Sequence, residues 1–208
     1  MYTPAAFVED RPEMVASFLA SHPMAQLVTM TADGLVATPL PMLYEPAPDG
    51  LGSLVGHVAR ANRQWSKAST DVEALAIFTG ANAYISPNWY PSKAEHGKVV
   101  PTWNYETVHI RGHLVVRDDT EWKRALVTRL TKQHESQFDA PWAVTDAPSD
   151  YIETMLKAIV GVEVQITSIQ AKRKLSQNRP EADIAGSIQG LTQAGGESAL
   201  VADAMTKR

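Results

Sequence analysis

The chain contains no cysteine among its 208 residues. That absence excludes disulfides, thiolate metal sites and cysteine nucleophiles together, and it suits a reducing compartment. Long apolar runs are missing too: none approaches the ~20 residues that a membrane helix requires. Met1 is followed by Tyr2, Thr3 and Pro4 and then by Glu9, Asp10 and Arg11, which is neither the basic nor the apolar part of a signal peptide. The expectation is a soluble, cytoplasmic protein with no membrane partner. Basic charge is also scarce. Lys and Arg number 19 against 23 Asp and Glu, for a net charge of −4, whereas DNA-binding domains commonly carry a basic face or a pI above about 9. No stretch reads as a helix-turn-helix, and direct DNA binding is disfavoured. No HExxH occurs, so no metal site is expected.

What the chain does have is an ordinary globular balance, 44% hydrophobic and 20% charged, enough for one domain with appendages. Asp10-Arg11-Pro12-Glu13 predicts a helix start, with Met14, Val15, Phe18 and Leu19 on one face and a stop at His22-Pro23. Asp33-Gly34 between two apolar runs predicts a hairpin. Pro39 and Pro41 lack amide protons, so the second hairpin strand should have an open edge or a break there. Further strands are expected over 51–57, 72–79 (extended by 83–86 after a bend at Gly80), 108–117 and 160–169. Helices are expected over 60–68, 120–137, 151–158 and 180–192, with a polar loop over 87–98. About six strands with helices between them suit a small barrel.

Four runs concentrate the polar and aromatic side chains: GHVARANRQW from Gly56, AYISPNWY from Ala83, VPTWNYETVHIRGH from Val100 and KLSQNRP from Lys174. A plain barrel core needs few such groups, because every buried polar atom must find a partner. The first run lies where a strand gives way to a helix, a natural anion site that Arg60 would strengthen. The same His57, Arg60 and Asn62 would serve equally well as surface and loop-bracing side chains. The third run brackets Asn104 with Trp103 and Tyr105, which suits either stacking on a ring system or an aromatic cluster. His109 and His113 share a strand face but sit about 13 Å apart, too far to chelate one metal. The basic run Lys172, Arg173, Lys174 and Arg179 is either a solvated face or a phosphate contact. No Ser-His-Asp arrangement or carboxylate pair stands out, so the sequence names no catalytic residue.

In wording and order the four runs, with the opening Met1-Tyr2-Thr3-Pro4 and Phe7, resemble the PaiB family, described as FMN-binding negative transcriptional regulators. The resemblance reaches to about Gly190. It implies a mainly β fold with helices, a flavin-type split β-barrel like that of pyridoxamine-phosphate oxidase. On this basis residues 1–190 form the FMN-binding domain and 191–208 a C-terminal tail, frayed or docked on a partner. It also implies a homodimer with FMN at the subunit interface. Carried over onto this chain, the phosphate end falls to His57, Arg60, Asn62 and Lys174. Thr38, Leu40, Trp103 and Gln177 fall to the ring or ribityl end. An alternative on the same barrel is a small flavin-dependent oxidoreductase or a haem-degrading enzyme. The chain departs from the family wording at Arg63, where proline is commoner.

Overall fold

The computed structural model describes residues 1–207; Arg208, the last residue of the expected tail, lies outside them. Among the described residues the strands are β1 (Val8–Glu9), β2 (Met24–Thr31), β3 (Gly34–Glu45), β4 (Ser53–Ala59), β5 (Ala74–Ile85), β6 (Thr102–Arg117) and β7 (Ile159–Lys174). The helices are α1 (Pro12–Ser21), α2 (Gln64–Lys67), α3 (Ser92–His96), α4 (Thr120–Glu135), α5 (Ser149–Lys157), α6 (Glu181–Ala194) and α7 (Gly196–Thr206). The sheet runs in the order β1-β7-β4-β3-β2-β5-β6, and an additional β6–β7 pairing closes that order. Every register set out below is antiparallel.

The chain divides into two compact units, one of 19–78 with 110–169, the other of 1–18, 79–109 and 170 onward. The first is the strand-rich one. Its β2 alternates buried and exposed residues along its length, with Ala25, Leu27 and Thr29 inward, as a half-buried strand must. The hairpin turns where Asp33-Gly34 predicts. Thr31 pairs with Gly34, Gly34 takes φ 111°, and the Thr31 hydroxyl donates to the Gly34 carbonyl at 2.9 Å. A positive φ suits glycine because it has no Cβ. Asp119 caps α4 by accepting from the Trp122 amide at 2.8 Å. Leu126 and Leu130 of this helix then pack against Leu43 and Val55. Each such aliphatic burial stabilises by about 1.5–3 kcal/mol.

In the second unit, α6 and α7 cover a core of Ala83, Ile85, Tyr90, Leu175, Ile184, Leu191, Val201, Ala202 and Met205. Two glycines let the backbone approach closely there. A Cβ on Gly80 would stand 2.7 Å from the Phe18 ring, and one on Gly190 2.3 Å from the indole of Trp89. β5 passes through Gly80 as one strand, although the alternation of buried and exposed residues slips between Phe78 and Ala83. Residues 87–98 are more ordered than their polarity suggests. Asp183, buried in α6, accepts from the Ser92 amide at 3.1 Å and the Ser92 hydroxyl at 2.7 Å, fixing the start of α3. β6 and β7 outrun the predicted strands, and β7 carries the basic run to its end at Lys174. The stretch after Gly195 is helical, with Val201, Ala202 and Met205 buried. Among the described residues no helix is long and apolar enough to cross a membrane.

Candidate cofactor-binding site

The eight residues singled out in the sequence fall in both units: Thr38, Leu40, His57, Arg60 and Asn62 in the strand-rich one, Trp103, Lys174 and Gln177 in the other. Within the strand-rich unit the structure ties three of its five residues into one turn. Asn62 sits between β4 and α2, where its side-chain Oδ1 accepts from the Gln64 backbone N–H at 3.0 Å. Its Nδ2 donates to the Thr38 hydroxyl at 2.9 Å. Helix α2 is a single turn, shorter than the expected 60–68, so an anion here would depend on side chains and not on a helix terminus. Trp65 donates from its indole to the Arg60 carbonyl at 3.1 Å. Gln64, buried, spends its amide nitrogen on the Leu27 and Val36 carbonyls and the Thr29 hydroxyl. The GHVARANRQW run thus reads as a brace that locks the end of β4 to β2 and β3.

Arg60 is part of that brace. Its guanidinium pairs with both oxygens of Asp118, at 3.0 and 2.5 Å, and donates to the Lys157 and Ile159 carbonyls at 2.7 and 3.1 Å. Lys123, buried, adds a contact to Asp118 at 2.8 Å. Arg60 first and Lys123 second hold the Asp118 carboxyl far below the ordinary carboxylate range, and Asp118 in turn raises Arg60. His57 pairs with Gly161 in the β4–β7 ladder. Burial lowers its pKa from 6.5, so at neutral pH it is an uncharged imidazole, able to donate one hydrogen bond without adding charge.

The two prolines do leave an open edge. Residues 34–41 of β3 pair with β2, and the β4 partner begins only at Met42. The Met42 amide donates to the Pro23 carbonyl at 2.9 Å. By the two-residue alternation of an antiparallel ladder, the amides of Leu40 and Thr38 face the β2 side as well. Over residues 37–40 the groups left on the open side are the amide and carbonyl of Ala37 and the carbonyl of Pro39. Pro39 and Pro41 occupy the positions where a missing amide proton costs no ladder bond. The Leu40 side chain is buried, near Gly56.

The remaining three residues share the second unit. Lys174 donates to the Thr102 hydroxyl at 2.6 Å and to the Trp103 carbonyl. Trp103 is half exposed and meets Tyr84 edge to face, with centroids 6.2 Å apart. Gln177 folds back on its own turn, accepting from the Leu175 amide at 2.7 Å and donating to the Arg173 carbonyl at 2.6 Å. Asn104 is turned away from its aromatic neighbours, because successive strand residues point to opposite faces. It is buried with Ser176, to which its Nδ2 donates at 2.9 Å. Sequence reasoning passed over Gln64, Asp118 and Ser176 as site-forming groups and weighed Arg179 only as part of the basic run. All but Asp118 stand within the four polar runs. Among the described residues no cluster could hold a metal ion.

Residues 1–168 match the model of a family described as "Putative FMN-binding domain". "Protease synthase and sporulation protein PAI 2" of Bacillus subtilis is 33% identical over 191 residues, 92% of this chain and 89% of that protein. Among solved structures, the flavocytochrome Anf3 from Azotobacter vinelandii superposes with a TM-score of 0.58 at 15% identity, covering 86% of this chain and 74% of that one. The FAD and haem binding protein from Mycobacterium smegmatis gives 0.55 at 16% identity, covering 90% and 80%. These structural likenesses confirm the fold expected from the four runs, a flavin-type split barrel with helices. By the family match and the Bacillus relative together, the chain belongs to the PaiB-like FMN-binding domain family, with FMN as its cofactor.

Proposed function

We propose that the protein is a homodimer that holds FMN in a cleft between subunits and acts as a regulator of the PaiB type. His57, Arg60, Asn62 and Lys174 take the phosphate end, and Thr38, Leu40, Trp103 and Gln177 the ring or ribityl end. The observation that carries this reading is the hydrogen bond from Asn62 to Thr38. It fixes a turn rich in donors beside an open strand edge, which is what a flat ring with a polar rim and a charged tail requires. On the β3 side, Ala37 and Pro39 offer one donor and two acceptors for a ring edge, flanked by Thr38 and Leu40.

The residues present fit the cofactor. Lys174 has spent two of its three ammonium protons on Thr102 and Trp103, and one remains for a phosphate oxygen. His57 supplies a neutral donor. Arg60 and Gln177 have protein partners already, so each contacts the cofactor while also holding its turn rigid. When bound, FMN supplies hydride or electron transfer, while these residues position it and shield it from water. The regulatory part follows the Bacillus relative, whose name links it to protease synthesis and sporulation. A net charge of −4 favours action through a protein partner over direct contact with DNA phosphates.

The test is FMN titration of the cofactor-free protein, followed by flavin fluorescence and by the mass from light scattering. One FMN per chain and twice the chain mass support the reading. A monomer that binds FMN with full affinity removes the interface site, and a protein that retains no flavin after desalting removes the cofactor assignment.

A further inference from the structure

The second unit contains a pocket of about 110 Å³ lined by Phe7, Thr102, Asn104, Lys174, Ser176, Asn178 and Arg179. Drug-sized ligands occupy pockets of roughly 300–1,000 Å³, so a three-ring flavin does not fit inside. A single small polar group does. Three of the lining groups are buried, with Asn104 0% exposed and Ser176 4%, while Thr102, Lys174 and Arg179 are half-buried and Asn178 is exposed. The two are joined to each other, with the Ser176 hydroxyl also 3.2 Å from the Asn104 oxygen.

Ser176 also adopts φ 65°, the one positive φ at a non-glycine residue among those described. Such a backbone costs on the order of 1 kcal/mol and persists where its surroundings or its function demand it. The demand here is placement. The left-handed residue turns the chain so that the Ser176 hydroxyl, Asn178 and Arg179 face the same small space.

The charge of the pocket is uncompensated. Arg173, in the same run, pairs with Glu106 at 2.6 Å and with Glu9 at 3.7 Å. Its neighbours Lys172, Lys174 and Arg179 make no ion pair with any carboxylate among the described residues. Lys172 and Lys174 rest against the face of Tyr105, at 5.2 and 5.9 Å, and Arg179 lies 5.1 Å from the centre of the Tyr90 ring. Burial, followed by repulsion from Lys172 and Arg179, lowers the pKa of Lys174. Of these cations Lys174 and Arg179 line the pocket, and an anion bound between them would relieve their repulsion.

We propose that this pocket seats one compact oxyanion, the phosphate or carboxylate end of a ligand other than the flavin. Arg179 and Lys174 supply charge, and Ser176, Asn178 and Thr102 supply neutral donors, a set able to surround a tetrahedral or planar oxyanion. A ligand so anchored would extend its remaining atoms out of the pocket. Lys174 is the one group this inference shares with the flavin reading; Arg179, Ser176 and Asn178 belong to it alone.

The experiment uses FMN-loaded protein titrated calorimetrically with inorganic phosphate, and separately with acetate, at constant ionic strength. The expected result is saturable binding of at least one of them with a Kd on the order of 1 mM. Arg179→Gln should weaken it by about tenfold, the loss of one charge-assisted contact. Ser176→Gly keeps the left-handed backbone and removes only the hydroxyl, so it should weaken binding severalfold while the protein stays folded. FMN affinity should be unchanged in both variants. The inference is overturned if neither anion binds saturably, or if binding survives both substitutions. It is equally overturned if FMN and phosphate displace one another and Arg179→Gln loses FMN, because the pocket would then be the flavin's own phosphate seat. A failure of FMN binding alone, with Arg179-dependent anion binding intact, would sink the flavin reading and leave this one standing.

Discussion

Asn62 and Thr38, 24 residues apart in sequence, are joined by a 2.9 Å hydrogen bond from the Asn62 amide to the Thr38 hydroxyl. Asn62 also accepts from the Gln64 amide, so one side chain couples the turn after β4 to the strand β3. Replacing Thr38 by Val keeps the shape and removes the acceptor. The expected loss is about 1 kcal/mol of folding stability, with about 0.5–1 kcal/mol of coupling to Asn62→Ala in a double-mutant cycle. FMN affinity should fall in both single variants. Denaturant unfolding and a flavin titration check the two parts, and a coupling energy near zero would show that the contact does not hold the turn.

Arg60 and Asp118 make a second, electrostatic relationship with a defined pH signature. Asp118 has a folded pKa pushed down from 3.8 by Arg60 and Lys123. A carboxylate depressed on folding adds stability that is present above its unfolded value and is lost as pH falls through and below it. Asp118→Asn should therefore be less stable than wild type at pH 7, and the gap should narrow as the pH drops below about 3.8. Because the pair is partly exposed, with 39% and 43% of the two side chains accessible, raising salt should shrink the gap too. Thermal melts from pH 7 to pH 2.5 at two salt concentrations decide it. A gap independent of pH would mean that the Asp118 charge contributes nothing.

The fold was largely legible because its strongest signals are local. The hairpin followed from Asp33-Gly34, the open edge of β3 from two prolines that cannot donate, and α4 from Trp122, Leu126 and Leu130 at helical spacing. What remained hidden depended on distant partners. Gly80 reads as the end of one strand, yet β5 continues through it and its missing Cβ admits Phe18. The ion pair of Arg60 was hidden because nothing near it in sequence announces Asp118, 58 residues away. Residues 87–98 read as loop because the buried acid that organises them, Asp183, lies on another helix. The site runs were recognisable by composition, but the faces they present were not. Asn104 and Trp103 are adjacent in sequence and point opposite ways, one buried beside Ser176 and the other half exposed.

Gly190 offers a direct check on the packing of α6. A methyl group there would sit 2.3 Å from the Trp89 ring, and neither helix backbone nor a half-buried indole yields easily. Gly190→Ala should destabilise by about 1–3 kcal/mol, the usual cost of overpacking, despite alanine's better helix propensity of about 1 kcal/mol. Combining it with Trp89→Leu should recover part of the loss, because the clash disappears. An alanine variant as stable as wild type would show that Trp89 can move aside.

His57 links the cofactor reading to pH. Burial lowers its folded pKa below 6.5, so the unfolded chain takes up a proton more readily than the folded one. The associated stability is complete above pH 6.5 and is lost as the pH falls towards the folded pKa. His57→Gln should flatten this part of the profile, below pH 6.5. Binding the FMN phosphate beside His57 would favour the imidazolium, so its pKa should rise when FMN is added. Following the His57 ring protons by NMR, with and without FMN, measures both effects on one residue. An upward shift places His57 at the phosphate end. A pKa indifferent to FMN would move the phosphate away from β4 and leave His57 as a barrel residue whose neutrality serves packing alone.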